Sequence, residues 1–277
     1  MCELTIPEYL YHYTSIDTLA LILKNKTIRL NPLTKLDDKQ EQKTADVKNI
    51  GKFVFVSSWT SEIDESIPMW EMYTKPTAGV RIKLKTNPFL QHQTSFKDVV
   101  NALGLTVVNQ SDLNVSVPTF LNLSILIRKG YFSPQAWSGD ILKMVRYTND
   151  ISLLEPQILS FSKEGFQLAI GKMGIYKDEH WSYQKEWRYL MTFLPLDLSS
   201  MNTVEERFKS MVLNLTHGKE KPPFEYYDLD LDPESFKQMD ITLSPKISDA
   251  NRIIVESLIQ KHNPYAHFHE SVLWGNL

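Results

Sequence analysis

Glu186 and Arg188 stand two residues apart at the end of the run Lys177–Arg188 (KDEHWSYQKEWR), which leads into the apolar stretch Lys185–Leu194. A carboxylate and a guanidinium at the mouth of an apolar strand make either a structural ion pair or the lip of a site. Side chains on a strand alternate between faces. Trp187, Tyr189, Met191 and Phe193 then share a core face, and Glu186, Arg188, Leu190 and Thr192 share the other. Elsewhere in the chain, His12 closes an aromatic stretch, Ser57 and Ser58 end an apolar run, and Tyr73 ends the segment Met-Trp-Glu-Met-Tyr. Each of these has an ordinary structural use when taken alone. Asp37, Asp38 and Glu41 fall close together in the polar loop Asn31–Gln42, but the regular ligand series and glycine of a calcium loop are missing. His267 and His269, at i and i+2 on a strand, are a permitted metal-ligand pair for which the sequence names no third ligand.

The elements that must position these groups are readable from periodicity. Glu8–Thr14 reads as a strand, and Ile16–Asn25 as an amphipathic helix capped by Ser15. Thr27–Asn31 is a short strand that Pro32 ends. Phe53–Trp59 has the length and apolarity of a central strand buried on both faces. Pro68 starts a helix carrying Trp70 and Tyr73. Gly79–Lys85 alternates, with Val80, Ile82 and Leu84 expected inward and Arg81, Lys83 and Lys85 outward. Residues 88–175 read as a helical insertion, with helices over Ser95–Leu105, Pro118–Lys129 and Pro156–Lys172 and a strand at Leu142–Tyr147. A helix over Thr203–Leu215 is capped by Asn202 or Thr203, and one over Arg252–Lys261 by Ser248 or Asp249. Strands are expected at Phe224–Leu231, Ile241–Leu243 and Ala266–Trp274. Clustered strands without regular βαβ alternation give an α+β class, and the length fits one large domain or two small ones.

Composition narrows the function classes. A formal net charge of -3 argues against a broad nucleic-acid surface. The one cysteine, Cys2, excludes an internal disulfide and a cysteine-rich zinc site, and fits a reducing cytosol. The N-terminus lacks the basic and apolar regions of a leader. No apolar run reaches the roughly 18 residues that span a bilayer. A cytoplasmic protein with no membrane partner is the expectation. The phosphate loop G-x-x-x-x-G-K-[ST], the G-x-G-x-x-G fingerprint and the G-x-S-x-G elbow are all missing.

Several segments, spread over most of the chain, resemble the bacterial DUF2971 family, a domain of unknown function, which implies a single domain over residues 1–277. Leu10–Leu30 is similar to its opening strand–helix–strand. Leu36–Glu41 resembles its N-D-P-x-E loop, with Asp37 in place of Asn and Lys39 in place of Pro. Met69–Tyr73 and Gly79–Ile82 resemble its M-W-x-x-Y and G-[FV]-x-[IL] segments. Lys177, Trp181, Glu186 and Arg188 match its K-x(3)-W-x(4)-E-x-R pattern. More distantly, the opening Tyr-His-Tyr-Thr strand resembles that of the DarT-like ADP-ribosyltransferases. That resemblance implies a split antiparallel sheet with a helical insertion and NAD as substrate. His12, then Ser57, Ser58 or Tyr73, then Glu186 would follow the order of the transferase residues. Gln184 loosely fits the Gln or Glu that such enzymes often carry two residues before the catalytic Glu.

On this reading Glu186, His12 and Tyr73 carry catalysis, and Tyr13, Thr14, Arg29, Ser57, Ser58, Trp70 and Arg188 bind the nucleotide. Glu186 would stabilise positive charge developing on the ribose. Trp70 or Tyr73 would stack on nicotinamide, and Arg29 or Arg188 would hold the pyrophosphate. The implied role is a toxin or phage-defence effector modifying an unspecified macromolecule. Two alternatives stand beside it: a non-catalytic nucleotide- or protein-binding module of the same fold, and a metal-dependent hydrolase or nuclease using Asp38, Glu41, His267 and His269.

Overall fold

Tyr9–Ser15 forms strand β1 and runs directly into helix α1, Ile16–Asn25. The Ser15 hydroxyl accepts the Thr18 amide at 3.2 Å, so the first turn is capped where the sequence predicts. Ile16, Leu19, Ile22 and Leu23 form the buried stripe of α1, and Lys26 in the left-handed region (φ 57°) ends it. The computed structural model describes residues 5–103, 115–162, 165–196, 203–217, 221–222 and 224–275. The expectations for Cys2, for the N-terminal leader region and for Asn202 fall outside these residues.

The main sheet is mixed and nine-stranded. After β1 come β2 (Thr27–Pro32), β3 (Val54–Thr60), β4 (Gly79–Lys85), β5 (Leu142–Met144) and β6 (Glu186–Thr192). Then follow β7 (Tyr227–Asp230), β8 (Asp240–Leu243) and β9 (His267–His269). The order is β7-β2-β3-β1-β4-β8-β9, with β6 along the remaining edge of β3 and β5 beyond it. All of these pairs are antiparallel except β8 with β9.

The sheet opens at β3. One edge of β3 is fully paired with β6, with Arg188 opposite Ser58 and Glu186 opposite Thr60. The other edge is shared. β2 meets it at Phe55 and Val56, and β1 meets it only at Thr60. Between these contacts Ser57, Ser58 and Trp59 face no strand on that edge, so β1 and β2 diverge and leave a gap.

β3 and β6 are covered on both faces. Phe55, Trp59, Trp187, Tyr189, Met191 and Phe193 join the larger core under α1. Val54, Val56 and Leu190 join a second core with Leu33, Ile50 and Phe53. The alternation expected of Lys185–Leu194 is therefore present, with burial on both sides.

Four expectations are corrected. Pro156–Lys172 is not a helix: Leu159–Ser162 and Gly165–Leu168 pair as an antiparallel hairpin. Its apolar residues satisfy a helical count, but cross-strand pairing decides the outcome, and Phe161 is left exposed. Residues 88–175 are accordingly not a helical insertion but short helices (Phe96–Leu103 and Leu123–Arg128 among them) interleaved with short strands. Arg81 on β4 is buried, stacked 3.9 Å over the Tyr11 ring and donating to the Glu62 and Ile63 carbonyls, because the loop after β3 folds over that face. The closing strand shrinks to His267–His269.

Candidate functional site

The gap between β1 and β2 is a cleft of two joined cavities, about 100 Å³ and about 350 Å³. His12, Leu36, Asp37, Ser58 and Tyr73 border both. Strands β1, β3 and β6 supply His12, Ser58 and Glu186 side by side. The helix Ile67–Tyr73, α2, supplies Tyr73 from its last turn, with Ser66 as N-cap and Pro68 in the first turn.

Glu186 is 3% exposed, and Arg188 has no exposed surface. Arg188 donates Nε to Glu186 Oε1 at 2.5 Å and Nη2 to Oε2 at 3.0 Å, a bidentate pair. Its Nη1 donates to Glu41 and, at 3.0 Å, to the Gly174 carbonyl. Lys177 Nζ donates to Glu186 Oε2 at 3.1 Å and to Gln184 Oε1 at 2.7 Å, and lies 3.5 Å from Glu41 Oε1. Two carboxylates and two cations thus balance in a buried cluster. Among the described residues Glu41 Oε1 accepts no hydrogen bond.

Burial works to raise the Glu186 pKa. The charges of Arg188 and Lys177, with hydrogen bonds from Arg188 and Ser58, outweigh it and hold the carboxyl well below its ordinary range. Glu186 is therefore a carboxylate throughout the physiological range. Burial, then the neighbouring Tyr183, Glu186 and Asp37, push the Tyr73 phenol up, so it stays protonated. Its oxygen accepts from Gln184 Nε2.

His12 donates Nδ1–H to the Ser58 carbonyl at 2.8 Å, on the edge of β3 that lacks a strand partner. That bond fixes the neutral tautomer with the lone pair on Nε2. Burial lowers the His12 pKa, and the bond to Ser58 only partly offsets this. His12 packs 5.0 Å from the Trp59 ring. The arrangement sets a neutral imidazole, a phenol and a fixed carboxylate around one small cavity.

Most of the residues singled out from sequence meet in the cleft. Tyr13, His12, Ser58, Tyr73, Glu186 and Arg188 line the smaller cavity, and Thr14, Arg29 and Ser57 line the larger. Trp70 does not: it is buried, with its indole N–H donated to Glu65 and its ring edge-on to Tyr13. It supports the wall and cannot stack on a ligand. Arg188 has its donors engaged with Glu41, Glu186 and Gly174, so it cannot also clasp a pyrophosphate. Arg29 forms a bidentate pair with Asp228 at 2.8 and 3.0 Å and stacks on Tyr226.

The residues of the metal reading are not brought into one site. His267 and His269 sit on the edge strand β9 and border neither cavity, while Glu41 is paired with Arg188. Among the described residues no group of three or more His, Cys, Asp or Glu side chains is placed to hold a metal.

Sequence reasoning gave no site role to Tyr147, placed Lys177 only within a motif, fitted Gln184 only loosely to the transferase pattern, and offered Glu41 as a metal ligand rather than as the partner of Arg188. Tyr147 accepts the Glu186 amide at 2.8 Å. The acids of the 37–41 loop were visible as a cluster, but nothing local shows that Glu41 answers a cation 147 residues away.

Among the described residues no helix is long and apolar enough to cross a membrane. In comparisons with known proteins, no family model, no curated protein and no solved structure matches this chain.

Proposed function

We propose that this chain is an ADP-ribosyltransferase-like enzyme that breaks the glycosidic bond of NAD in the cleft where the sheet opens. One observation carries the reading: a carboxylate held ionised, Glu186, shares a small cavity with a neutral imidazole, His12, and a protonated phenol, Tyr73. Cleaving the bond builds positive charge on the ribose. A fixed carboxylate beside that carbon stabilises the charge without reorganisation. His12 Nε2 is an acceptor for a ribose hydroxyl, and the Tyr73 hydroxyl a donor toward the nicotinamide amide. The smaller cavity suits a single ring, and the joined larger one gives the room a dinucleotide needs. The divergence of β1 and β2 supports the split-sheet form expected from the ADP-ribosyltransferase resemblance. A toxin or phage-defence effector is the role we attach to this chemistry.

One observation favours a second reading, a nucleotide-binding module without catalysis. Both Glu186 oxygens already face cations, Oε1 toward Arg188 and Oε2 toward Arg188 and Lys177. The deciding experiment is nicotinamide release from NAD by the wild type, Glu186→Gln and His12→Ala. Release that both substitutions abolish in folded protein supports the enzyme. NAD binding without release in the wild type selects the module.

A further inference from the structure

Charge is unevenly distributed along the cleft. Around the smaller cavity stand Glu41, Glu186, Asp37 and Asp38, and the two cations there, Lys177 and Arg188, are already paired within the buried cluster. Lining the larger cavity but not the smaller stands Lys35, exposed and without an ion pair or hydrogen bond among the described residues. Lys35 closes the short 3-10 turn Leu33–Lys35, which Leu33 anchors in the second core. It also borders a third, open cavity of about 500 Å³, lined among the described residues by Lys52, Lys221 and Glu225 as well. The larger cavity is therefore the less acidic of the two: its described charged lining is Lys35, the Arg29–Asp228 pair and the shared Asp37, and Lys35 continues into a cavity lined by further lysines.

We propose that the larger cavity is a diphosphate subsite and that Lys35 is its phosphate contact. The direction of the bound ligand rests on the NAD reading: the glycosidic end lies at Glu186 and the phosphates lie toward Lys35. The more acidic smaller cavity suits a cationic pyridinium and its ribose. A phosphate placed there would meet Asp38 and a charge cluster whose cations are already paired, whereas in the larger cavity it meets the ammonium of Lys35. Arg29 assists as a rigid neighbour, its plane fixed by Asp228 and Tyr226 at the same cavity. This assigns to Lys35 the task expected of Arg29 or Arg188.

The test is calorimetric titration of wild type, Lys35→Ala and Lys35→Arg with ADP and with adenosine, beside nicotinamide release from NAD. Lys35 is exposed and outside both cores, so its variants fold. ADP affinity falling about tenfold in Lys35→Ala, recovering in Lys35→Arg and weakening with salt, with adenosine unaffected, is the expected result. Equal ADP affinity in all three proteins, or no ADP binding by the wild type, overturns the subsite. In either case, nicotinamide release would leave the enzyme reading standing. Lys35-dependent ADP binding without nicotinamide release keeps the subsite and removes the transferase.

Discussion

Arg188 holds Glu186 through two parallel hydrogen bonds, although the two residues lie on the same strand only two positions apart. Side chains at i and i+2 share a strand face, so the pair forms locally once β6 is in place. Its burial then requires further partners, which come from Glu41, Lys177 and the Gly174 carbonyl. The same contacts that keep the carboxylate ionised also occupy it. On the proposed reading, stability and catalysis are therefore coupled at this residue.

Removing one member of a balanced buried charge cluster leaves an uncompensated charge. Arg188→Met is expected to destabilise the fold by roughly 3–5 kcal/mol. Urea unfolding monitored by tryptophan fluorescence measures it. A loss under about 1 kcal/mol, the range of a solvent-exposed pair, would show that the cluster is hydrated in solution.

The native pKa of Glu186 lies below its ordinary 4.5. The unfolded chain then binds the proton first as pH falls, so the contribution of Glu186 to stability is complete above the unfolded value and is lost toward the lower native one. Unfolding free energy should decline progressively below about pH 5, and the decline should flatten in Glu186→Gln. Identical slopes in both proteins would assign the acid sensitivity to other carboxylates.

His12 titrates below its ordinary 6.5 because burial disfavours the imidazolium. The unfolded state binds the proton at a higher pH than the native state, so this residue costs stability as pH falls below the unfolded value, until its native pKa is passed. Nitrogen-15 NMR of the ring should show a neutral Nδ1–H tautomer at pH 7. An imidazolium signal there would remove His12 as an acceptor in the site.

Tyr73→Phe deletes one hydroxyl from the cleft and leaves the ring in place. Nicotinamide release should fall about tenfold in kcat/KM, the worth of one hydrogen bond. Gln184 loses its contact to Tyr73 but keeps Lys177, so unfolding should change little. An unchanged kcat/KM removes Tyr73 from the chemistry.

Gly174 adopts φ +73°, and a Cβ there would lie 3.1 Å from Leu190 Cδ1. Its carbonyl also accepts from Arg188. Gly174→Ala should cost about 1–2 kcal/mol through backbone strain, read as a lowered Tm. A Tm equal to the wild type would mean that this turn relaxes freely.

The sequence by itself determined what depends on neighbours along the chain. Ser15 capping α1 is a contact spanning three residues, and Glu186 and Arg188 sharing a face opposite Trp187 and Tyr189 follows from a period of two. Local rules also misled. The residues of Pro156–Lys172 fit a helical count but form a hairpin, and Arg81 was expected in water but is covered by the loop after β3. Only the tertiary structure decided that Glu41 meets Arg188, that Trp70 turns away to Glu65, and that β1 and β2 part at Ser57–Trp59 to open a cleft. Periodicity reports which side of an element is apolar. It carries no information about which distant element covers the polar side, because that is set by pairing and packing across the whole chain.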